Sequence, residues 1–275
     1  MKSQDVITAA GYGYTRVWDD RHYLIRLGGV PFFIVAIMHI LTLTWAGDAP
    51  LMRQGLLLLP AFFAMGWFLA QYARSLLLNE YWPYRPAPQA TGQIDIPHLI
   101  TRTRGIISGT LMFVVMSMGK FMIFGGFLAT AQESYTTGNM PAEPDPKMML
   151  PALILMAATI YAVRFIWLYI PAAVLVSPGA FLKRIGGFMA SLHILTLMMV
   201  CMIPPTILTY VAASILLRGQ SLLEAPTIIL TLVVLISQAV DMLVWAIATA
   251  GMACLMKDHL PHTPNAFDMR PTHPK

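Results

Sequence analysis

The chain has 275 residues, of which 57% are hydrophobic and only 11% charged, and its mean hydropathy is +0.65. Soluble domains average roughly 45–50% apolar and about 25% charged residues, so the composition excludes an ordinary soluble globule, a nucleic-acid-binding domain and a disordered chain. The formal net charge is +5, as expected when Lys and Arg are retained on the cytoplasmic side of a membrane. The composition therefore predicts an integral membrane protein without a nucleic-acid partner.

Residues 1–27 are too polar to cross a bilayer, but apolar side chains recur in them at helical spacing, as at Ala10 and Tyr14. This pattern predicts an amphipathic helix that lies on the cytoplasmic face, with Trp18 and Tyr23 as anchors at the membrane interface. The same pattern fits a helix packed on the cytoplasmic end of the bundle itself, and the sequence leaves both alternatives open.

Six apolar stretches reach the length of about 20 residues that a transmembrane helix needs. They occupy residues 28–46, 52–78, 105–131, 148–176, 186–217 and 226–256. In lipid, helices and closed barrels satisfy their backbone hydrogen bonds, and these runs lack the alternation of barrel strands. The predicted fold class is all-α: a polytopic integral membrane protein with a six-helix bundle over 28–256. Pro204 and Pro205 predict a kink or break in the fifth span.

The distribution of basic residues sets the predicted orientation. If the spans are placed as above, most of the 18 Lys and Arg residues fall on one side, namely Lys2, Arg16, Arg21, Arg26, Arg74, Arg85, Arg102, Arg104, Lys183, Arg184, Lys257, Arg270 and Lys275. The opposite side carries Arg53, Lys147 and Arg218. The positive-inside rule then places both termini in the cytoplasm.

Two segments outside the spans complete the domain organisation. The loop 79–104 contains Trp82 among tyrosine, proline and arginine residues, and this composition is typical of an interfacial anchor. The tail 257–275 is rich in proline and histidine, and we expect it to be disordered in the cytoplasm.

Three charged side chains lie inside predicted spans: Lys120, Arg164 and Asp241. A charge at the bilayer centre costs roughly 2.5–3.5 kcal/mol on insertion scales, so such groups normally face the bundle interior and have partners. The simplest arrangement pairs Asp241 with Arg164, Lys120 or both. Gln238 lies on the same helix face as Asp241 and completes the predicted intramembrane polar network.

This network has two interpretations. As a functional site it is a polar pocket or ion path in the middle of the membrane, and two cations with one carboxylate would favour an anionic headgroup or solute. As a structural feature it is a salt bridge that fixes helix order, which we prefer. His39 and His193 also lie in spans, and each is interpreted as bonded to a neighbour rather than as a ligand.

The fourth span and its exit carry a pattern that resembles a known family. The run RFIWLYIPAAV at 164–174 is followed by SPGAF at 177–181 and by Lys183-Arg184, and the opening from Tyr14 to Gly29 is also similar. These segments resemble the YciC-like six-helix membrane proteins and the related membrane domain of some glycerophosphodiester phosphodiesterases. The resemblance implies a six-helix architecture and a bacterial inner (plasma) membrane.

Motifs for nucleotide, haem or metal-protease chemistry are absent from the sequence, which also lacks a catalytic serine motif. We therefore expect no cofactor, no metal and no enzymatic activity. The leading prediction is an accessory or scaffolding subunit that binds membrane lipids, another membrane protein or a second copy of itself. The alternative is a transporter of an anionic or amphipathic solute through the polar network.

Overall fold

A computed structural model describes residues 3–47, 49–83, 96–136, 146–217 and 226–256, and these are helical with short turns and no strand among them. Six of the helical segments are long and apolar enough to cross a membrane. The predicted fold class, an all-α polytopic membrane protein, is confirmed. The predicted tail 257–275 lies outside the described residues.

The helices are numbered here in chain order. They are α1 Ser3–Asp19, α2 Arg21–Ala46, α3 Leu51–Leu78, α4 Ile96–Thr136, α5 Pro146–Ala162, α6 Tyr169–Ala173, α7 Pro178–Arg184, α8 Phe188–Leu217 and α9 Thr227–Met256. A 3₁₀ segment, Val163–Leu168, joins α5 to α6. The helix α4 begins nine residues before the predicted third span, and the fourth span is divided among α5, the 3₁₀ segment and α6.

The segment 1–27 differs from its prediction. It is divided at Asp20, where α1 ends and the first membrane-spanning helix begins seven residues earlier than expected. The helix α1 packs along α9 and α8, as in the alternative that the sequence left open. Close approach is possible because Gly13 faces the carbonyl of Ile247, and Gly251 faces the carbonyl of Ala9.

The two prolines lie inside a continuous α8, so the helix is not broken there, and the kink that the sequence also predicted stays a prediction. Each proline lacks the N–H that would bond to the carbonyl four residues earlier, on Val200 and Cys201. The hydroxyl of Tyr14 lies 3.3 Å and 3.1 Å from these two oxygens and donates to them. The helix α1 therefore satisfies backbone groups that the prolines leave unpaired in α8.

Small residues bring α4 against its neighbours. A Cβ atom on Gly105 would overlap the carbonyl oxygen of Ala173, and one on Gly109 would crowd the side chains of Ala173 and Ala70. Spacing of four residues places both glycines on one helix face, where they allow close helix contact. This contact positions α4 beside α3 and α6.

Packing is concentrated at one end of the bundle. Residues 68–77 of α3, all of α6 and residues 244–253 of α9 are buried, whereas the opposite halves of α8 and α9 are largely exposed. We call the end at Leu78, Ala173 and Met256 the closed end and the other the open end. The positive-inside rule predicts that the closed end is cytoplasmic.

Candidate functional site

Lys120 and Asp241 lie close together in the bundle, on α4 and α9. The ammonium of Lys120 lies over the ring of Trp245 at 5.0 Å from its centroid, one turn along α9 from Asp241. The two charges act on each other electrostatically but form no direct ion pair. The sequence predicted that Asp241 pairs with Lys120. The two residues lie near each other, but they are not in direct contact.

Asp241 and Gln238 form an exposed polar face on α9. The side chain of Asp241 is exposed, that of Gln238 is half-buried, and neither makes a hydrogen bond with any described residue. Both lie on the half of α9 that faces the open end, above the buried stretch that begins at Val244. A carboxylate at this depth requires water or a polar group to solvate it.

His39 joins this site from α2. Its Nδ1 bonds to the carbonyl of Val35 at 2.9 Å, which agrees with the interpretation of a histidine bonded to a neighbour. It also acts electrostatically on Asp241. No sequence pattern predicts that His39 lies near Asp241, because the adjacency of α2 and α9 is a tertiary feature.

Arg164 lies elsewhere, and its predicted pairing with Asp241 is not observed. Its guanidinium stacks on the ring of Tyr161 at 3.5 Å and donates to the carbonyl of Ile185 at 3.5 Å, in the turn between α7 and α8. The side chain is buried and points toward the closed end, because the 3₁₀ segment changes the direction in which this part of the fourth span presents its side chains. Arg164 therefore fixes a helix corner.

An aromatic layer separates Arg164 from the Lys120 site. The ring of Trp245 packs on Trp167 at 5.7 Å and on Phe113 at 5.4 Å, and Phe113 packs on Tyr169 at 5.5 Å. The hydroxyl of Tyr169 bonds to Thr249 at 2.7 Å, so the layer is also tied to α9. Among the described residues, the Lys120 site on the open side of this layer holds one lysine and one aspartate, whose formal charges cancel.

A second polar cluster lies at the closed end and was not predicted. Glu80 pairs with Arg74 at 2.8 Å and Arg102 at 3.3 Å, and His98 lies 3.6 Å from its second oxygen. Arg74 also donates to the carbonyl of Ala173. From the sequence alone these arginines contribute only to the predicted cytoplasmic excess of basic residues, since nothing in the spacing indicates that Glu80 folds back.

The end of α3 explains this cluster. Asn79 adopts a left-handed conformation with φ 57°, and its N–H bonds to the carbonyl of Arg74. Left-handed residues commonly terminate helices in this way, and Asn tolerates the conformation better than most residues. The chain therefore turns back over the helix end and places Glu80 between the arginines of α3 and α4.

The three predicted interfacial anchors occupy different environments. Trp18 is 69% exposed with Arg21 over its ring at 5.2 Å, and its anchoring role stays a prediction. Tyr23 and Trp82 are partly buried, and the N–H of Trp82 donates to the hydroxyl of Tyr23 at 3.3 Å. Trp82 also packs on Trp67 at 5.9 Å. These two residues join the α3 exit to the bundle, and an anchoring role for them stays a prediction.

A third polar group connects α1 to the closed end. Arg16 pairs with the buried Asp20 at 2.7 Å and donates to the hydroxyl of Tyr81 at 3.1 Å. Burial raises the pKa of Tyr12 to about 12, and burial also raises the pKa of Tyr81. Both phenols are therefore neutral hydrogen-bonding groups at physiological pH.

The arrangement offers a cation, a carboxylate and an amide at the open side, and these groups can bind a polar ligand. Among the described residues, no three His, Cys, Asp or Glu side chains are grouped so that they could hold a metal ion.

Comparison with known proteins identifies no family: no protein-family model, curated protein or solved structure matches this chain. The likeness to YciC-like proteins stays a prediction.

Proposed function

We propose a lipid-binding function from an open groove that one face of α4 forms near the closed end, with a volume of about 750 Å³. Its described lining consists of Leu99, Ile100, Thr103, Arg104, Ile107, Ser108 and Leu111. Arg104 is exposed and makes no hydrogen bond or ion pair within the described part of the chain. As far as the described residues show, the groove thus presents the unpaired cation of Arg104, with apolar side chains further along the helix, and Lys or Arg side chains near a membrane surface attract lipid headgroups.

We propose that the protein is a non-enzymatic accessory or scaffolding subunit of a bacterial inner membrane that binds lipid, with both termini in the cytoplasm. The groove on α4 carries this proposal. A phosphate would contact Arg104, and an acyl chain would follow Ile107 and Leu111 toward the membrane interior.

The hydroxyl groups on α4 support the same ligand. Thr101 and Thr110 donate to carbonyls one turn earlier, as hydroxyls in membrane helices commonly do. Thr103 and Ser108 line the groove without such a bond to any described residue. Their hydroxyls are therefore available to the headgroup beside Arg104.

Native mass spectrometry of the purified full-length protein tests this proposal. We expect phosphatidylglycerol to remain bound, and we expect Arg104→Gln to weaken its retention about fivefold, since one arginine near a membrane surface contributes about 1 kcal/mol. Arg26→Gln is the matched control, because Arg26 is also exposed, at the start of α2. Equal retention by both variants would contradict the proposal.

The same measurement identifies a protein partner or a homo-oligomer. The helix α8 exposes a long apolar face toward the open end, including Ile203, Ile207 and Val211. A co-purifying membrane protein or a second copy, with no lipid retained, would support a scaffold that binds protein rather than lipid.

Transport is the second candidate, and the exposed Asp241 beside Lys120 favours it. If this site lies on a transport path, Asp241→Asn should abolish flux in proteoliposomes while the thermal stability of the protein stays unchanged. If the pair is structural, the same variant should lose thermal stability, and the wild-type protein should show no flux.

A further inference from the structure

Lys120 and Asp241 present opposite charges to the same face of the bundle without neutralising each other. The ammonium of Lys120 lies over Trp245, and the carboxylate of Asp241 is exposed on the next turn of α9. In a structural salt bridge both groups would be in direct contact. Because Lys120 and Asp241 form no direct ion pair, each of them can contact a ligand.

The charge of the site limits the chemistry of that ligand. With Arg164 on the other side of the aromatic layer, the cation of Lys120 and the anion of Asp241 cancel. A ligand with a net negative charge would meet the Asp241 carboxylate, and a ligand with a net positive charge would meet Lys120. A ligand with one charge of each sign satisfies both groups.

We infer that Lys120 and Asp241 bind a zwitterionic group that carries an anionic phosphate or carboxylate and a primary ammonium. The anion contacts the Lys120 ammonium, and the ligand ammonium donates hydrogen bonds to Asp241 and to the carbonyl oxygen of the Gln238 side chain.

Neighbouring groups fit this assignment. The ring of Trp245 lies beneath the Lys120 ammonium and holds it on the α9 side by a cation–π contact. His39 keeps its Nδ1 on the carbonyl of Val35, so its Nε2 is the ring nitrogen left to face the ligand. Contacts from α2, α4 and α9 would then enclose the zwitterion.

Two sources can supply such a group: the headgroup of an aminophospholipid, and a free zwitterion from water. The inference deepens the transport candidate by naming its ligand class, and it stands equally if the ligand is held and never moved. It is independent of the α4 groove, because that groove is lined by a different part of α4, about two and a half to six turns from Lys120 along the helix.

The test uses native mass spectrometry with an equimolar mixture of phosphatidylethanolamine and phosphatidylglycerol, on the full-length protein carrying Arg104→Gln, so that the α4 groove does not retain phosphatidylglycerol. We expect this protein to prefer phosphatidylethanolamine by roughly tenfold, as one charge-assisted hydrogen bond provides. Asp241→Asn and Lys120→Gln should each remove the preference. Asp19→Asn and Lys183→Gln make the same charge changes at exposed positions and should keep it.

Further ligands identify the headgroup and its source. Phosphatidylcholine has the same charges without ammonium N–H donors, and we expect it to bind more weakly than phosphatidylethanolamine. Free phosphoethanolamine that displaces the lipid would support a soluble source, and failure to displace it would support the lipid itself.

Equal binding of phosphatidylethanolamine and phosphatidylglycerol to the Arg104→Gln protein would overturn the inference, whether or not the Lys120 and Asp241 variants fold. Variants that lose thermal stability but keep the headgroup preference would also overturn it and indicate a structural pair. If the protein binds the headgroup but shows no flux, the transport function is refuted and the binding inference stands. Loss of phosphatidylglycerol in Arg104→Gln concerns the α4 groove alone.

Discussion

The contact between Tyr14 and the proline pair of α8 makes a quantitative prediction. Pro204 and Pro205 leave the carbonyls of Val200 and Cys201 without their intrahelical donors. The Tyr14 hydroxyl lies 3.3 Å and 3.1 Å from these oxygens. In a chain surrounded by lipid, an unpaired carbonyl has little water to bind, so the hydrogen bond from the Tyr14 phenol stabilises the folded protein.

Tyr14→Phe removes this donor and keeps the shape of the ring. Leaving a buried polar group unsatisfied costs about 1–3 kcal/mol. The phenol has a single proton and the bond to Cys201 is only part-buried, so we expect the lower part of this range. For a chain of this size each kcal/mol lowers Tm by about 2–4 °C, and the expected decrease is therefore about 2–6 °C.

A double-mutant cycle, measured by thermal denaturation in one detergent, isolates the contact. Pro204→Ala with Pro205→Ala restores the intrahelical N–H donors, so adding Tyr14→Phe to that background should cost nearly nothing. Tyr210→Phe is the control, because Tyr210 is 74% exposed on the same helix. A Tyr14→Phe cost that is the same with and without the prolines would refute the reasoning.

Three other perturbations test the packing. Gly105→Ala places a Cβ on a backbone carbonyl and should lower the free energy of unfolding by about 1–3 kcal/mol, whereas Gly119→Ala, which meets open space on the same helix, should raise it by up to about 1 kcal/mol; similar Tm values for the two would contradict the close approach of α4. Gly13→Ala should expose α1 to limited proteolysis because its Cβ would overlap a carbonyl of α9, and Gly11→Ala should not; equal cleavage rates would count against the packed α1. Glu80→Gln leaves two buried arginines without their carboxylate and should cost about 3–5 kcal/mol in denaturant unfolding, while a cost under about 1 kcal/mol would mean that water solvates them.

The fold class and the approximate positions of the spans could be predicted because they depend on local physics. A helix in lipid satisfies its own backbone hydrogen bonds, so a long apolar run is helical whatever its neighbours are. The helix bounds were less predictable. Residues 21–27, which include Arg21, His22 and Arg26, extend α2 beyond its apolar run, since nothing local ends the helix before the bend at Asp20.

The meeting of side chains from different helices was decided by tertiary packing. Sequence depth placed Arg164 and Asp241 near the middle of their spans, and yet Arg164 binds at a helix corner while Lys120 and His39 approach Asp241. Depth in a span does not give the direction in which a side chain points. That direction depends on helix rotation and on which helices are neighbours.

The sequence by itself determined that this is a helical membrane protein, through composition and the length of its apolar runs. The tertiary structure alone decided that the Lys120 site is neutral, that α1 completes the hydrogen bonds of α8, and that Glu80 is enclosed by arginines. The last two depend on close helix contacts at Gly13 and Gly105, and the effect of a glycine can be known only when the surface that it meets is known.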